Sequence, residues 1–143
     1  MVSSFTLDLP YLKENGPIIQ IVLKPSDPTV AKLRIEKKDV PLITVRALID
    51  TGASSTAISH KIVERLQLIP RGTVKVFTSN KIQETRNEYD VAIEFDSNAY
   101  LRVLRVLEAN LQDHSIDCLI GRDILQFAVF TYNGPEKKVT LFF

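Results

Sequence analysis

The run Leu42-Ile43-Thr44-Val45-Arg46-Ala47-Leu48-Ile49 stops at Asp50-Thr51-Gly52, and this junction constrains the chain more than any other feature. Apolar and β-branched residues at that density predict a strand with a buried face. A carboxylate at the end of such a strand is costly to bury unless it is hydrogen-bonded, paired or protonated. The next residues offer partners. Thr51 brings a hydroxyl, and Gly52 lets the backbone turn tightly and admits close approach by another chain or a ligand. Ala53 is small, and Ser54, Ser55 and Thr56 suit a turn. By itself the tripeptide reads as a turn aspartate, because Asp-x-Gly favours turns.

Strand signals dominate the rest of the chain. Residues 18–23, 73–78, 89–95 and 100–107 are apolar runs or alternate with period two. In the last of these Leu101, Val103 and Arg105 share a face. Residues 127–132 and 138–143 flank Asn133-Gly134-Pro135, which predicts a terminal hairpin. Two segments read as helix. Residues 60–66 follow Ser59 as a candidate N-cap and carry Ile62, Val63 and Leu66 as an apolar stripe. Residues 122–127 follow Gly121. Prolines 10, 17, 25, 28, 41 and 70 are expected outside these elements. The strand–glycine–helix order at Gly52 recurs at Leu119-Ile120-Gly121, a faint internal echo. The expected class is all-β, a single domain over residues 1–143. Residues 40–143 form the core, and residues 1–39 form N-terminal strands or an extension.

Composition narrows the function. A formal net charge of +1 over 143 residues, with no interleaved basic and aromatic residues, gives no footprint for nucleic acid. Lys32, Arg34, Lys37 and Lys38 are interrupted by Glu36 and Asp39 and read as a solvated strand face or loop. Apolar stretches are shorter than the roughly 20 residues that span a bilayer, so no membrane is expected. Cys118, the single cysteine, cannot form an intrachain disulfide and reads as a buried structural thiol. With no leader pattern at the N-terminus, it suggests a reducing, cytoplasmic setting. His60 and His114 lack metal-ligand spacing or catalytic context, so neither a metal nor a cofactor is expected. Asp117 and Asp123 read as strand-end and first-turn helix charges.

One carboxylate on a small-residue turn has a definite use if a second can be found. Two carboxyl groups can hydrolyse a peptide: one acts as base on a water, and the other donates to the scissile carbonyl. Two like charges about 3 Å apart cannot both ionise, so the pair shares a proton; aspartic proteases are the standing example. This chain has one Asp-Thr-Gly. The economical source of a second is a copy of the chain across a two-fold axis.

Ala47-Leu48-Ile49-Asp50-Thr51-Gly52-Ala53 resembles the active-site loop of the retropepsin-like aspartic peptidases, the homodimeric, retroviral-protease type. Cys118-Leu119-Ile120-Gly121-Arg122-Asp123 resembles their second signature, in the same order and about 70 residues downstream. The resemblance covers residues 40–143, is weaker over 1–39, and is closer to the non-viral members. It implies a retropepsin-like acid-protease fold, closed and barrel-like, with one or two short helices. It implies a peptidase that needs a homodimer and takes a peptide or protein substrate. By matched position, Asp50 would be catalytic. Thr51 would bond the partner's loop, Gly52 would permit that approach, and Ala53 would line the floor. Leu119, Ile120 and Gly121 would pack behind the loop, and Arg122 would brace it. The substrate flap would have its tip at Phe77, Thr78, Ser79, Asn80, Lys81 and Ile82.

Three departures stand out. No glycine lies between Gly72 and Gly121, whereas the retroviral flap is glycine-rich; Ser79-Asn80 would make the turn. Ser54 stands where an acid usually pairs with the arginine of the second signature, with Asp123 a nearby charge. The terminal hairpin implies a different dimer interface, in which Leu141-Phe142-Phe143 could pair with its copy. The competing reading is a peptide-binding or dimerisation module that keeps the fold with little activity. A domain cut from a longer polyprotein ranks behind both.

Overall fold

The computed structural model describes residues 3–77, 79–96, 99–111 and 115–143; Thr78 and His114, singled out above, lie outside them. Among the described residues there are ten strands: β1 (Ser4–Asp8), β2 (Ile18–Pro25), β3 (Ile43–Ile49), β4 (Ala57–Ile58), β5 (Gly72–Phe77), β6 (Gln83–Glu94), β7 (Tyr100–Glu108), β8 (Cys118–Ile120), β9 (Val129–Asn133) and β10 (Lys138–Phe142). The helices among these residues are α1 (Leu12–Asn15), α2 (Asp27–Ile35), α3 (His60–Arg65) and α4 (Arg122–Leu125).

Seven strands form one sheet in the order β2-β3-β8-β4-β7-β6-β5, and β2 also pairs with β6. That extra pairing closes six strands into a ring and leaves β5 outside, at the edge and paired with β6. β6 achieves this by length. Residues 83–88 pair with β5, whereas Val91, Ala92, Ile93 and Glu94 pair with β2, and a register shift between Val91 and Ile93 bends the strand. Ile19, Ile21, Leu23, Val45, Ala47, Ile49, Val91, Ile93, Val106 and Ile120 are buried in the one core cluster that fills the ring. The buried face expected of β3 is present: Val45, Ala47 and Ile49 are buried and Thr44 and Arg46 are exposed.

A second sheet of three strands has the order β1-β10-β9. The terminal hairpin is present, with Val129 opposite Phe142 and Asn133 opposite Lys138. Its apolar end does not have the free edge that pairing with a copy requires. β10 lies between β1 and β9, Leu141 is opposite both Phe5 and Phe130, and Ser3 and Phe143 exchange backbone hydrogen bonds. The sequence reading missed this because β1 is short and its pairing partner lies at the far end of the chain.

Residues 1–39 hold the other differences. β2 is a stave of the ring rather than an appendage, pairing with β3 and β6. Two more short helices join the two that were read from the sequence. α1 ends at Gly16, whose φ of 79° falls where glycine is favoured. α2 contains Pro28 in its first turn, where a missing N–H costs no hydrogen bond, so this proline starts a helix and is not excluded from it. Lys32 and Arg34 accordingly sit on a helix, not on a strand face or loop. Near the middle of the chain, α3 buries Ile62 and Val63 as its stripe predicts, and Leu66 is buried just beyond it. Ser59 makes no side-chain cap; its hydroxyl goes to Asp117 Oδ1 at 3.3 Å. No helix among the described residues is long and apolar enough to cross a membrane.

Candidate active site

Asp50 ends β3, and β8 fixes where it ends. β3 and β8 run parallel with Leu48 beside Leu119 and Ile49 beside Ile120. The next link in that ladder is the Asp50 N–H, which donates to the Ile120 carbonyl at 2.9 Å. The two motifs are therefore neighbours in space, and each stops its strand at the same level. The chain then turns: Gly52 N–H donates to Asp50 Oδ1 at 2.9 Å, and Ala53 N–H to the Asp50 carbonyl at 3.2 Å. Asp50 is half-buried, and Thr51 and Gly52 are exposed. The burial problem posed by the sequence is met by a backbone donor and by partial solvation.

α4 holds this loop from behind. Arg122 N–H donates to the Ala53 carbonyl at 2.8 Å, and the Arg122 guanidinium donates to the Thr51 carbonyl at 2.8 Å. The acid missing at Ser54 is thus replaced by a backbone oxygen as the arginine's partner. Asp123 is not that partner. Its carboxylate receives Thr56 N–H at 2.8 Å and the Thr56 hydroxyl at 2.7 Å. Gly121 must be glycine for contact reasons: a Cβ there would lie 2.6 Å from the Ser55 carbonyl carbon.

The other candidates separate from this centre. Asp117 faces Ser59 and Lys61, and Asp123 is taken up by Thr56, so neither is directed at Asp50. Cys118 is buried among apolar groups, and burial pushes its thiol up, out of the range of a nucleophile. His60 sits on the surface between Glu108 at 3.1 Å and Glu64 at 3.0 Å. Among the described residues no group of three metal-ligating side chains comes together.

Of the predicted flap residues, those described, Phe77 and residues 79–82, lie at the turn between β5 and β6, with Phe77 opposite Gln83. Ser79, Asn80, Lys81 and Ile82 are exposed, as is Phe77. Lys81, not Asn80, takes the left-handed conformation, at φ 59°. Two of the larger surface hollows lie elsewhere. One of about 470 Å³ is lined by His60, Arg86, Glu108 and Asp117, and one of about 390 Å³ by Leu7, Tyr11, Gln20 and Arg46. Neither contains Asp50.

Thr56 is a site residue that the sequence reading passed over, and Asp123 one to which it gave a different role. Thr56 was one of three hydroxyls in a turn, and Asp123 was a first-turn charge. The available signal was a hydroxyl just ahead of the apolar pair Ala57-Ile58, where burial demands a partner.

The family described as gag-polyprotein putative aspartyl protease matches residues 32–126, a span that holds both motifs. No curated protein is a significant match. Among solved structures, a retropepsin-like aspartic protease from Rickettsia conorii superposes with a TM-score of 0.58 at 12% identity, covering 100% of this chain and 93% of that one. EIAV protease, complexed with the inhibitor HBY-793, gives 0.50 at 17% identity over 78% of this chain and 86% of its own. At such identities these likenesses speak for the fold. The family match spans two thirds of the chain, and the chain belongs to the gag-polyprotein putative aspartyl proteases, within the retropepsin-like aspartic peptidase family.

Proposed function

We propose that the chain is an aspartic endopeptidase that works as a homodimer, with one Asp50 from each subunit. The observation that carries this is the Asp50 loop itself. It is anchored from behind by Arg122, it leaves Thr51 and Gly52 exposed, and the neighbouring acids Asp117 and Asp123 are engaged elsewhere. A loop held on one side and open on the other suits a copy of itself across a two-fold axis. Thr51 would then reach the partner's loop, and Ala53 would line the floor.

In this reading the pair carries one proton. The charged Asp50 takes a proton from a water whose oxygen attacks the scissile carbonyl carbon. The protonated Asp50 donates to the carbonyl oxygen. The tetrahedral intermediate collapses as the carbon–nitrogen bond breaks: the leaving nitrogen takes the proton that the first Asp50 removed from the water, and a hydroxyl of the intermediate returns a proton to the second, restoring the pair. No covalent enzyme intermediate forms. The substrate lies extended between the floor and the β5–β6 hairpin, whose Phe77 to Ile82 tip serves as the flap. The lone reduced cysteine suits a cytoplasmic setting.

The test is a peptide-library cleavage assay across pH, paired with analytical ultracentrifugation. Wild type is expected to dimerise and cleave. Asp50→Asn is expected to dimerise with cleavage reduced by a factor on the order of 10³ or more, as for loss of a reacting group. A fully active Asp50→Asn protein ends this mechanism. A dimer that binds peptides and cleaves none favours the binding-module reading, which the glycine-free flap motivates.

A further inference from the structure

Thr56 is fully buried, and its hydroxyl has two neighbours: Gly121 N–H at 3.1 Å and Asp123 Oδ1 at 2.7 Å. The Gly121 N–H can only donate, so the hydroxyl oxygen accepts there and its single proton goes to Asp123. Thr56 N–H also donates to Asp123, at Oδ2 and 2.8 Å, and Ile124 N–H donates to Oδ1 at 2.9 Å. Three donors therefore converge on this carboxylate. An asparagine would turn its NH₂ toward at least one of them and leave a donor facing a donor. The position calls for two acceptor oxygens.

This cluster sits at the far end of the Asp50 loop. Consecutive residues of α4 grip that loop at both ends, Arg122 at Thr51 and Ala53, Asp123 at Thr56. Gly121, between Ile120 and α4, is drawn in by the same hydroxyl. Asp50 is thus held on one side by the Ile120 carbonyl and on the other by the Arg122 contacts, with this strut fixing where the loop ends.

The geometry points to Asp123 and Thr56 as positioning residues for Asp50, a strut that keeps its carboxylate at the height where it meets its copy. This inference rests on the peptidase reading of Asp50. Neither residue touches the reacting atoms. Their leverage is geometric, since a misplacement of about 1 Å in a catalytic group can cost on the order of 10²-fold in rate.

Two readouts on the 143-residue chain test it. The first is amide hydrogen exchange by NMR, which needs no substrate. Thr56→Val, which keeps shape and removes the hydroxyl, is expected to speed exchange at the Asp50 and Ala53 amides by on the order of tenfold. The Val139 and Leu141 amides in β10 should stay near wild type. The second is kinetics on a fluorogenic peptide taken from the library. Thr56→Val and Asp123→Asn should lower kcat by on the order of tenfold or more with little change in KM. Thr56→Ser should restore both exchange and kcat. Asp123→Glu keeps every acceptor and lengthens the arm by one methylene, so it serves where Thr56→Val does not fold: it should fold and still lose kcat. Wild-type exchange and kcat in these folded variants would overturn the strut, as would loosening spread evenly into β10. A wild-type protein that cleaves nothing, or an active Asp50→Asn, defeats the peptidase reading instead. The exchange measurement then still decides whether the strut exists.

Discussion

At the scale of single residues the site is a problem of contacts. Gly121 lies where two pieces of backbone cross, and an added Cβ would sit 2.6 Å from the Ser55 carbonyl carbon and 2.7 Å from its oxygen. Backbone cannot rotate away as a side chain can. Gly121→Ala is therefore expected to destabilise by about 1–3 kcal/mol, in the range of overpacked cores. It should also displace the Ser55–Thr56 end of the Asp50 loop, so the proposed peptidase activity should fall further than the melting temperature alone explains. Thermal melts beside kcat check this, and a neutral result for both would mean that the crossing is looser than described. Cys118 shows what residue-level reading of the sequence did well. An apolar run around a lone cysteine predicted burial, and the thiol is buried with its ionisation pushed up.

At the scale of elements, hydrogen bonds between side chains join pieces that the backbone ladder leaves apart. His60 opens α3 and places one ring nitrogen on Glu108 at the end of β7 and the other on Glu64 one turn along. The Glu108 hydrogen bond and charge, then those of Glu64, raise the His60 pKa above its ordinary 6.5. A raised histidine stabilises the fold fully below the unfolded value of 6.5, and this contribution is lost as pH rises through the higher folded value. NMR titration should place His60 above 6.5, with Glu108→Gln lowering it more than Glu64→Gln. The reverse order would show that α3 is clamped mainly within itself. The β5–β6 hairpin makes the opposite point. Its first strand, β5, was legible because its alternation is a local property, whereas residues 83–88, the part of β6 that pairs with it, were not read as strand. The residue carrying the left-handed turn was not legible either, since Asn80 has the intrinsic preference and Lys81 adopts the conformation.

At the scale of the whole molecule, the terminal sheet decides what the chain ends can do. Leu141 is buried in the middle strand of that sheet, whereas Phe142 beside it is 44% exposed. Leu141→Ala is expected to cost about 2–5 kcal/mol, the range for buried leucine truncations. Phe142→Ala should cost far less, and chemical denaturation of the two variants measures the difference. Equal losses would contradict the order β1-β10-β9. With both edges of β10 occupied inside one chain, a dimer cannot use Leu141-Phe142-Phe143 as a pairing strand while this sheet stays intact.

What the sequence determined by itself follows from local physics. Apolar runs or period-two alternation marked most of the long strands, an apolar stripe marked α3, and Asn133-Gly134 marked the terminal hairpin. Asp50-Thr51-Gly52 with Leu119-Ile120-Gly121-Arg122 marked the family, because both motifs are contiguous in the chain. Tertiary structure decided the pairings between distant segments: β2 with β6, β1 with β10, and Thr56 with Asp123. Each of these joins residues far apart in sequence, and nothing in either partner's immediate neighbours names the other. Even the central acid followed that division. Its tripeptide made Asp50 a candidate, and only the parallel register of β3 with β8 showed how the second motif holds it in place.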